Sequence, residues 1–379
     1  MRIGQLIDSL SVGGAQSLQL MFAQAVQDRD VELTVATLYP SRVGELAAEL
    51  ESLGVRVVAL HGRSLLDPLR ARRLVRFLRR ERFNVLFTHL SSANLLGPIA
   101  GRIAGVPTIA TLHAISRPTL RTRETLETWA LRRATTHCVA VGSAVAEAHR
   151  DRVAPASCVV IPNPVKEIPP LPRADRLAAR RELIGTKQVM LVSTGRLKPV
   201  KGFADLLTAF AELRRTQPEA ALVIAGSGPL EGELRAQILR LGLQGHAHLI
   251  GLCRDVPRLL AAADLYVNAS HQEGMPMSVL EAMAAGLPVV ATGVGDVRSI
   301  VVDGSGLLVP PREPHALAAA LKRLLDNREQ AAAMGTVARQ YVRRNHRVDR
   351  WAERLLQLAA QVGRSTGSHL PSRKPLQGP

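Results

Sequence analysis

Aromatic residues and cysteines are scarce in this sequence of 379 residues. Phenylalanine, tryptophan and tyrosine together make up 3% of it, so the core must be aliphatic. The three cysteines, Cys138, Cys158 and Cys253, are too widely spaced for a metal cluster or a disulfide framework and fit a reducing compartment. No apolar run is long enough to span a bilayer, and the first residues are interrupted too soon for a signal peptide. We therefore expect a globular cytoplasmic protein.

Acidic residues are also few compared with basic residues. The chain has 49 lysines and arginines against 32 aspartates and glutamates, a formal net charge of +17. Such an excess attracts polyanions such as nucleic acid, anionic lipid headgroups or phosphorylated ligands. The sequence has no zinc-finger spacing, no RNA-recognition aromatics and no basic zipper. We therefore expect no nucleic-acid partner, and the charge leaves membranes and phosphorylated ligands open.

Short β-rich runs alternate with helix-length segments along most of the chain. This alternation predicts parallel sheets with helices on both faces. The pattern breaks at the proline-rich stretch 162–172, and a second series then begins. The predicted strands are Arg2–Ile7, Val31–Leu38, Val55–Leu60, Val85–Thr88, Pro107–Thr111, Cys138–Val141 and Val159–Ile161, and then Val189–Thr194, Leu222–Ala225, His248–Ile250, Leu265–Asn268, Val289–Ala291 and Gly306–Val309. We predict an α/β protein with two Rossmann-like, doubly wound parallel-sheet domains that face a central cleft.

The predicted domain boundaries follow from these breaks. The first domain covers residues 1–165, residues 166–185 form a linker, and the second domain covers residues 186–345. Residues 346–363 are predicted as a C-terminal helix, and the polar, proline-containing residues 364–379 as a disordered tail. Ligands in such sheets bind at the carboxyl ends of the strands, so the loops after the strands are the candidate sites.

The most informative loop lies between Glu273 and Glu281. A buried strand is predicted to end at Asn268, and Pro276 suits the start of a helix predicted from Ser278 to Ala285. One carboxylate would then lie in the loop and the other inside the helix. The helix N-terminus between them offers unpaired N–H groups and a positive dipole end, which suit a phosphate. Two acceptor-only carboxylates beside an anion site could bind hydroxyls of a sugar-phosphate compound; two solvated acids on an ordinary surface helix remain the alternative.

Three further loops in the second half carry residues of the same kind. Arg196 and Lys201 follow a strand and suit a diphosphate, although solvated loop cations are the alternative. Gly226 and Gly228 follow the next strand and would let a ligand approach the backbone, or simply make a tight turn. The segment 293–296 has the same two interpretations. Four such loops at successive strand ends favour one binding site.

The order of these motifs resembles the retaining nucleotide-sugar glycosyltransferases of family 4, which have the GT-B fold. The resemblance covers roughly residues 1–360. It rests on Gly195-Arg196 with Lys201-Gly202, Gly226-Ser227-Gly228-Pro229, Glu273 through Glu281 with the Glu-Ala-Met-Ala-Ala-Gly-Leu-Pro segment, Gly306-Leu307-Leu308-Val309-Pro310, Gly13-Gly14-Ala15-Gln16, Thr88-His89, Thr111-Leu112-His113, Val141-Gly142-Ser143 and Ile161-Pro162-Asn163-Pro164. Ser299 departs from the pattern, because relatives often carry a carboxylate there.

The resemblance implies a role for each matching residue. Glu281 would hold the ribose hydroxyls, Glu273 the donor sugar, and Arg196 and Lys201 the diphosphate. The remaining donor-binding residues implied are Gly13, Gly14, Gly226, Gly228, Gly274, Met275, Met277 and Ser278, with backbone amides near Met277 and Ser278 at the distal phosphate and the Gly13-Gly14 loop closing over the phosphates. The catalytic residues implied are Glu273, His113, Arg196 and Lys201; His113 would contact the sugar near its reacting carbon, and Glu273 as a covalent nucleophile is the weaker option.

The function implied is transfer of a hexose-type sugar from a nucleotide-diphosphate donor to a glycan or polyprenyl-linked acceptor, in bacterial exopolysaccharide, capsule or lipopolysaccharide synthesis. The alternatives are a nucleotide-sugar epimerase or phosphorylase on the same fold, or a non-catalytic glycan or polyanion binder. We expect no cofactor and no metal, because cations and a helix N-terminus can stabilise the departing diphosphate. The basic helix at residues 69–83 is expected to cover the sheet with its arginines in water, and lying on an anionic membrane is the alternative. Arg121, Arg123, Arg132 and Arg133 could meet an anionic lipid-linked acceptor, and the basic first domain as a whole suggests peripheral contact with the anionic inner membrane.

Overall fold

The computed structural model describes residues 1–11, 13–39, 45–62, 64–65, 67–115, 120–154, 158–185, 187 and 189–367. The chain divides into two compact units. The first unit contains the described residues of Met1–His113, Arg117–Ile161 and Asp349–Pro379. The second contains Pro162–Val348 together with the described part of Ala114–Ser116. Each unit is built around its own parallel sheet.

The first unit has a seven-stranded sheet in the order β3-β2-β1-β4-β5-β6-β7, and every adjacent pair is parallel. Its strands are β1 Arg2–Ile7, β2 Glu32–Thr37, β3 Arg56–Ala59, β4 Val85–His89, β5 Thr108–Leu112, β6 His137–Ala140 and β7 Cys158–Val160. Its helices are α1 Gly14–Ala25, α2 Glu45–Ser52, α3 Pro68–Glu81, α4 Ser91–Ala104, α5 Arg121–Arg133 and α6 Ser143–Ala148. The central strands β4 and β5 are buried along their full length, which explains their continuous apolar runs.

The second unit has a six-stranded sheet in the order β10-β9-β8-β11-β12-β13, again parallel throughout. Its strands are β8 Val189–Thr194, β9 Ala220–Ala225, β10 Ala247–Leu249, β11 Leu265–Asn268, β12 Val289–Thr292 and β13 Gly306–Val309. Its helices are α7 Arg173–Ile184, α8 Phe203–Leu213, α9 Glu231–Arg240, α10 Val256–Ala262, α11 Met277–Ala284, α12 Val297–Ile300, α13 Pro314–Asp326 and α14 Arg328–Asn345. One aliphatic core, with Leu206, Phe210 and Leu321 fully buried, packs α8 and α13 onto this sheet.

All thirteen predicted strands are present, each within two residues of its expected bounds. The predicted linker at residues 166–185 is wrong over most of its length, because α7 occupies Arg173–Ile184. This helix is fixed by tertiary contacts: Arg176 and Arg180 donate to the Asp264 carboxylate at 2.7 and 2.8 Å. The proline stretch before it supplies the helix start at Pro172, not a flexible connection.

The last helix, α15, runs from Val348 to Gly367. Residues 364–367 are therefore helical, and the predicted disordered tail is wrong for them; residues 368–379 lie outside the described residues. From Asp349 onward α15 belongs to the first unit. The Trp351 ring packs edge-on against Phe22 with centroids 5.9 Å apart, and Arg354 donates to the carbonyl of Val160 at 2.9 Å. Within the described residues, no helix combines the length and apolarity needed to cross a bilayer.

Candidate functional site

A buried ion pair joins two of the predicted site residues. The Lys201 ammonium donates to Oε1 of Glu273 at 2.6 Å, and the Ser270 hydroxyl donates to the same oxygen at 2.6 Å. The Glu273 side chain is 8% exposed and that of Lys201 is 25% exposed. Lys201 ends a 3-10 turn after β8, and Glu273 lies in the loop after β11. The two adjacent strands β8 and β11 therefore bring together groups that lie 72 residues apart in sequence.

The loop that carries Glu273 is held by its neighbours on both sides. Thr292, at the end of β12, donates to the carbonyl of Ser270 at 2.5 Å. The backbone N–H of Asp296 donates to the carbonyl of Gly274 at 3.0 Å. Gly295 has a φ of +51°, and a Cβ added to it would lie 2.0 Å from the carbonyl oxygen of Glu273. Only glycine fits there, because the 293–296 loop packs directly against the backbone of the Glu273 loop. The 293–296 loop therefore supports the Glu273 loop.

Asn163 supports the same loop from another direction. Its side-chain amide donates to the carbonyl of Met275 at 3.0 Å, and its own carbonyl accepts a hydrogen bond from the His346 ring at 2.7 Å. Met275 and Met277 are both buried. The segment from Glu273 to Met277 is thus fixed by hydrogen bonds to its backbone and by burial of its methionines, while the first N–H groups of α11 lack acceptors within the helix.

Glu281 is the fifth residue of α11, inside the helix that was predicted to carry it. It is half-buried, and burial raises the pKa of its carboxyl to about 7. The Tyr266 hydroxyl is close by: burial raises its pKa to about 12, hydrogen bonds with Ser278 and Thr194 oppose that rise, and the Glu281 charge adds to it. Glu281 is therefore divided between its protonated and ionised forms near pH 7.

Arg196 is exposed at the start of the loop that leads to Lys201. Beneath that loop lie Gly226 and Gly228. A Cβ added to Gly226 would lie 1.8 Å from the carbonyl oxygen of Gly195, and one added to Gly228 would lie 2.4 Å from that of Leu197. Both positions require glycine because the loop after β9 approaches the loop after β8 closely. This contact could not be predicted from the sequence. Their contact with a donor stays a prediction.

Other predicted residues lie in the first unit. His113 Nε2 and His89 Nδ1 lie 3.1 Å apart at the carboxyl ends of β5 and β4. Burial lowers the pKa of His113 to about 4, and burial together with the neighbouring imidazole lowers the pKa of His89 well below its usual value. Both rings are therefore neutral at pH 7, and the contact of His113 with a sugar stays a prediction.

Gly13 and Gly14 lie at the start of α1, where Gly13 is the residue before the helix and Gly14 its first residue. The carbonyl of Gly13 accepts from the N–H groups of Gln16 and Ser17 at 3.1 and 3.0 Å. They lie in the connection from β1 to α1, as predicted, six and seven residues after the end of the strand, and Val12 in that connection lies outside the described residues. Their phosphate contact stays a prediction.

The basic segments separate into exposed and inward-facing arginines. In α3, Leu74 and Leu78 are buried and most arginines are exposed, as expected for a covering helix, but Arg70 is 1% exposed and donates to the carbonyl of Gly62 at 2.8 Å. In α5, Arg123 donates to the Ser91 and Ser92 hydroxyls at 3.3 and 3.2 Å. Arg123 therefore anchors α5 to α4, and its contact with a membrane or a lipid-linked acceptor stays a prediction.

Two polar residues in the loops after these strands, Asp8 and His271, were not identified from the sequence. Asp8, after β1, accepts from the N–H groups of Ala93 and Ser92 at 2.8 and 3.3 Å; burial raises the pKa of its carboxyl, against the effect of these N–H groups. His271, two residues before Glu273, was missed as well. An acid directly after the first strand was the only available signal for Asp8. Nothing in the sequence distinguished His271 from its neighbours.

Both halves of the chain match family models of glycosyltransferases. Residues 12–167 match the family model for Glycosyltransferase Family 4, and residues 175–341 match the model for Glycosyl transferases group 1. The chain is 28% identical over 274 residues to the Escherichia coli UDP-Gal:alpha-D-GlcNAc-diphosphoundecaprenol alpha-1,3-galactosyltransferase, which covers 67% of this chain and 70% of the relative.

Other relatives align over a smaller part of their length. A Mycobacterium tuberculosis GDP-mannose-dependent alpha-(1-6)-phosphatidylinositol monomannoside mannosyltransferase is 34% identical over 207 residues, 50% of this chain and 54% of its own length. Among solved structures, Anabaena HepE in complex with UDP and glucose superposes with a TM-score of 0.86 at 24% identity, over 95% of this chain and all of HepE. This likeness confirms the predicted GT-B fold. The chain belongs to the family 4 glycosyltransferases, which use nucleotide sugars.

Proposed function

We propose that this glycosyltransferase is a retaining, metal-independent enzyme that moves a hexose from a nucleotide-diphosphate donor to a polyprenyl-linked glycan. The setting would be assembly of a bacterial surface polysaccharide. The observation that carries the proposal is the pairing of Lys201 with Glu273 directly before the N-terminus of α11. A cation, a carboxylate and a helix N-terminus at one strand end suit a sugar diphosphate.

Departure of the diphosphate would be the step that these groups assist. Negative charge develops on the leaving phosphate as the bond to the sugar breaks, and preorganised cations and N–H groups stabilise that charge. In this proposal Lys201, Arg196 and the first turn of α11 supply them. Each charge-assisted hydrogen bond contributes about 1.5–3 kcal/mol, so loss of one should slow turnover by about tenfold or more. These groups would stabilise the charge on the leaving phosphate without a metal ion.

Retention would follow if the acceptor hydroxyl attacks the sugar from the face that the phosphate leaves. A phosphate oxygen could then take the acceptor proton. Glu273 fits sugar binding better than nucleophilic attack, because both Lys201 and Ser270 donate to its Oε1 and stabilise its charge. Glu281 would hold the ribose hydroxyls in its ionised form, since a carboxylate accepts hydrogen bonds at both oxygens.

The identity of the donor and acceptor is suggested by the relatives. HepE was solved with UDP and glucose, and the Escherichia coli relative uses UDP-Gal and a diphosphoundecaprenol acceptor according to its name. UDP-hexoses and polyprenyl-diphosphate sugars are therefore the first compounds to test. The chain spans 70% of that relative and about half of the mannosyltransferase.

A thermal-shift screen of nucleotide sugars tests the donor, because a ligand that binds only the folded state raises the melting temperature. The best donor would then be incubated with polyprenyl-diphosphate sugars, and the anomeric configuration of the product determined by NMR with and without EDTA. We expect an α-linked product from an α-linked donor, and an unchanged rate in EDTA. An epimerised donor, a requirement for inorganic phosphate, or full activity of Lys201→Ala would each contradict the proposal.

The membrane part of the proposal concerns the outer face of α5. Glu127, Ala130 and Leu131 face inward, whereas Leu126 and Trp129 are 42% and 50% exposed. The exposed Arg121, Arg132 and Arg133 lie on the same helix. Exposed apolar side chains beside cations suit the interface of an anionic membrane.

Vesicle sedimentation tests this surface. The intact protein should bind vesicles of 30% anionic lipid, and Trp129→Ser with Leu126→Ser should reduce that binding. Leu239→Ser, at an exposed leucine of α9 in the second unit, is the matched control. Equal binding by all three proteins would rule out α5 as the contact surface.

A further inference from the structure

His271 connects the two loops that carry Lys201 and Glu273. Its Nε2 lies 2.7 Å from Oδ2 of Asp205, in the first turn of α8. A carboxylate only accepts hydrogen bonds, so the hydrogen of this bond lies on Nε2 of His271. The backbone N–H of His271 also donates to the carbonyl of Val200 at 2.8 Å. Both bonds reach from the loop after β11 to the segment that follows β8.

Gly202 allows this connection to be short. Its φ is +64°, and a Cβ added to it would lie 1.9 Å from the carbonyl oxygen of Ala269 and 3.2 Å from Nε2 of His271. The two loops are therefore in direct backbone contact at Gly202. Lys201 directly precedes Gly202 in the sequence, and Glu273 lies two residues after His271.

We propose that His271 and Asp205 are positioning residues that fix the distance between Lys201 and Glu273 and thereby shape the site for the diphosphate and the sugar of the donor. This rests on the proposed function of that pair. Neither His271 nor Asp205 needs to touch the donor, since each acts through the loop it holds. Side chains of this kind matter because a displacement of about 1 Å at a catalytic group can cost about 100-fold in rate.

Loss of this connection should affect the diphosphate and sugar of the donor but not its nucleoside. Lys201 and Glu273 lie on the loops that His271 connects, whereas Glu281 lies within α11, after those loops. Disruption of the connection should weaken contacts to the diphosphate and sugar and leave contacts to the nucleoside in place. A residue that merely stabilised the fold would not produce this division.

The test compares full-length His271→Ala, Asp205→Ala, the double variant and the conservative His271→Gln. We expect each alanine variant to raise the donor KM or lower kcat/KM by about tenfold, the size of one lost hydrogen bond to a charged group. The double variant should be no worse than the poorer single variant, because both remove the same bond. His271→Gln, which keeps a donor, should recover most of the loss, and uridine should bind all variants equally while UDP binds the alanine variants less well.

The matched control is His315→Ala. His315 Nδ1 lies 2.6 Å from Oε2 of Glu212, which is the same kind of pair in the same unit but is exposed and joins α13 to the opposite end of α8. It should leave kcat/KM unchanged. Amide hydrogen exchange without any ligand gives a second measurement: His271→Ala, but not His315→Ala, should speed exchange in peptides that cover 196–202 and 270–276.

The outcomes distinguish the connection from the proposed function. If Lys201→Ala turns over normally, the proposed donor site is wrong, while the exchange data still decide whether His271 holds the two loops. If Lys201→Ala is impaired but His271→Ala has wild-type kinetics and exchange, the positioning role is overturned. Additive losses in the double variant would also overturn it.

Discussion

Replacing Glu281 with glutamine should stabilise the second unit and weaken nucleotide binding. Burial raises the pKa of the Glu281 carboxyl to about 7 from an ordinary value of 4.5. Between these two values the folded protein binds more protons than the unfolded chain. The free energy of unfolding therefore falls as the pH rises through this window, and the full penalty is present above pH 7.

The size of the effect follows from the shift. A change of about 2.5 pKa units corresponds to about 3 kcal/mol at 1.36 kcal/mol per unit. Glutamine carries no charge to desolvate, so Glu281→Gln should be about 3 kcal/mol more stable than the natural protein at pH 8. Below pH 4.5 the natural carboxyl is neutral too, and the difference should disappear. For a unit of this size the shift corresponds to a rise of about 6–12 °C in melting temperature at pH 8.

Differential scanning fluorimetry at pH 8 and pH 5 measures both quantities. Glu233→Gln, at an exposed glutamate of α9, shows the effect of the same substitution without burial. The reasoning is refuted if Glu281→Gln melts at the natural temperature at pH 8, or if its gain is as large at pH 5 as at pH 8. Binding of UDP should fall in the same variant, so stability and affinity should change in opposite directions.

Three further predictions concern the pH dependence of donor binding, the protonation of His113 and the packing at Gly226. The KM for the donor should fall as the pH rises from 6 to 8, because the Glu281 pKa is about 7 and only its ionised form accepts hydrogen bonds from a ribose at both oxygens; a KM that stays constant in Glu281→Gln over this range is the control. The ring protons of His113 should not titrate in NMR spectra between pH 5.5 and 8, because burial lowers its pKa to about 4; an inflection near pH 6.5 would contradict this. Gly226→Ala should lower the melting temperature by several degrees, about 2 kcal/mol or more, because its Cβ would overlap the Gly195 carbonyl; Gly232→Ala, where a Cβ meets no atom within 4 Å, should not.

The strands could be predicted because parallel strands buried on both faces leave continuous apolar runs in the sequence. Strands β8 and β11 agree with their predicted bounds, and their carboxyl ends placed Lys201 and Glu273 at the same edge of the sheet. Helix α7 was missed because its stability depends on Asp264, about 80 residues away, and proline-rich sequence before a helix resembles a linker.

The details of the candidate site depended on contacts that local sequence does not contain. Arg121 and Arg123 differ little in sequence context, yet Arg123 turns inward to Ser91 and Ser92. The glycines at 226 and 228 could equally have faced a ligand, and only the adjacent loop shows what they accommodate. The raised pKa of Glu281 depends on the burial of its side chain, and the sequence of the helix does not show how deeply that glutamate is buried.

The backbone hydrogen bond between Val165 and His346 has a consequence for how such enzymes can be recombined. Val165 donates to the carbonyl of His346 at 2.8 Å, so the points where the chain enters and leaves the second unit are adjacent. A segment whose two ends are adjacent can be exchanged between proteins without changing the path of the rest of the chain. Chimeras that exchange residues 165–346 between relatives should therefore keep both junctions of the exchanged segment in place.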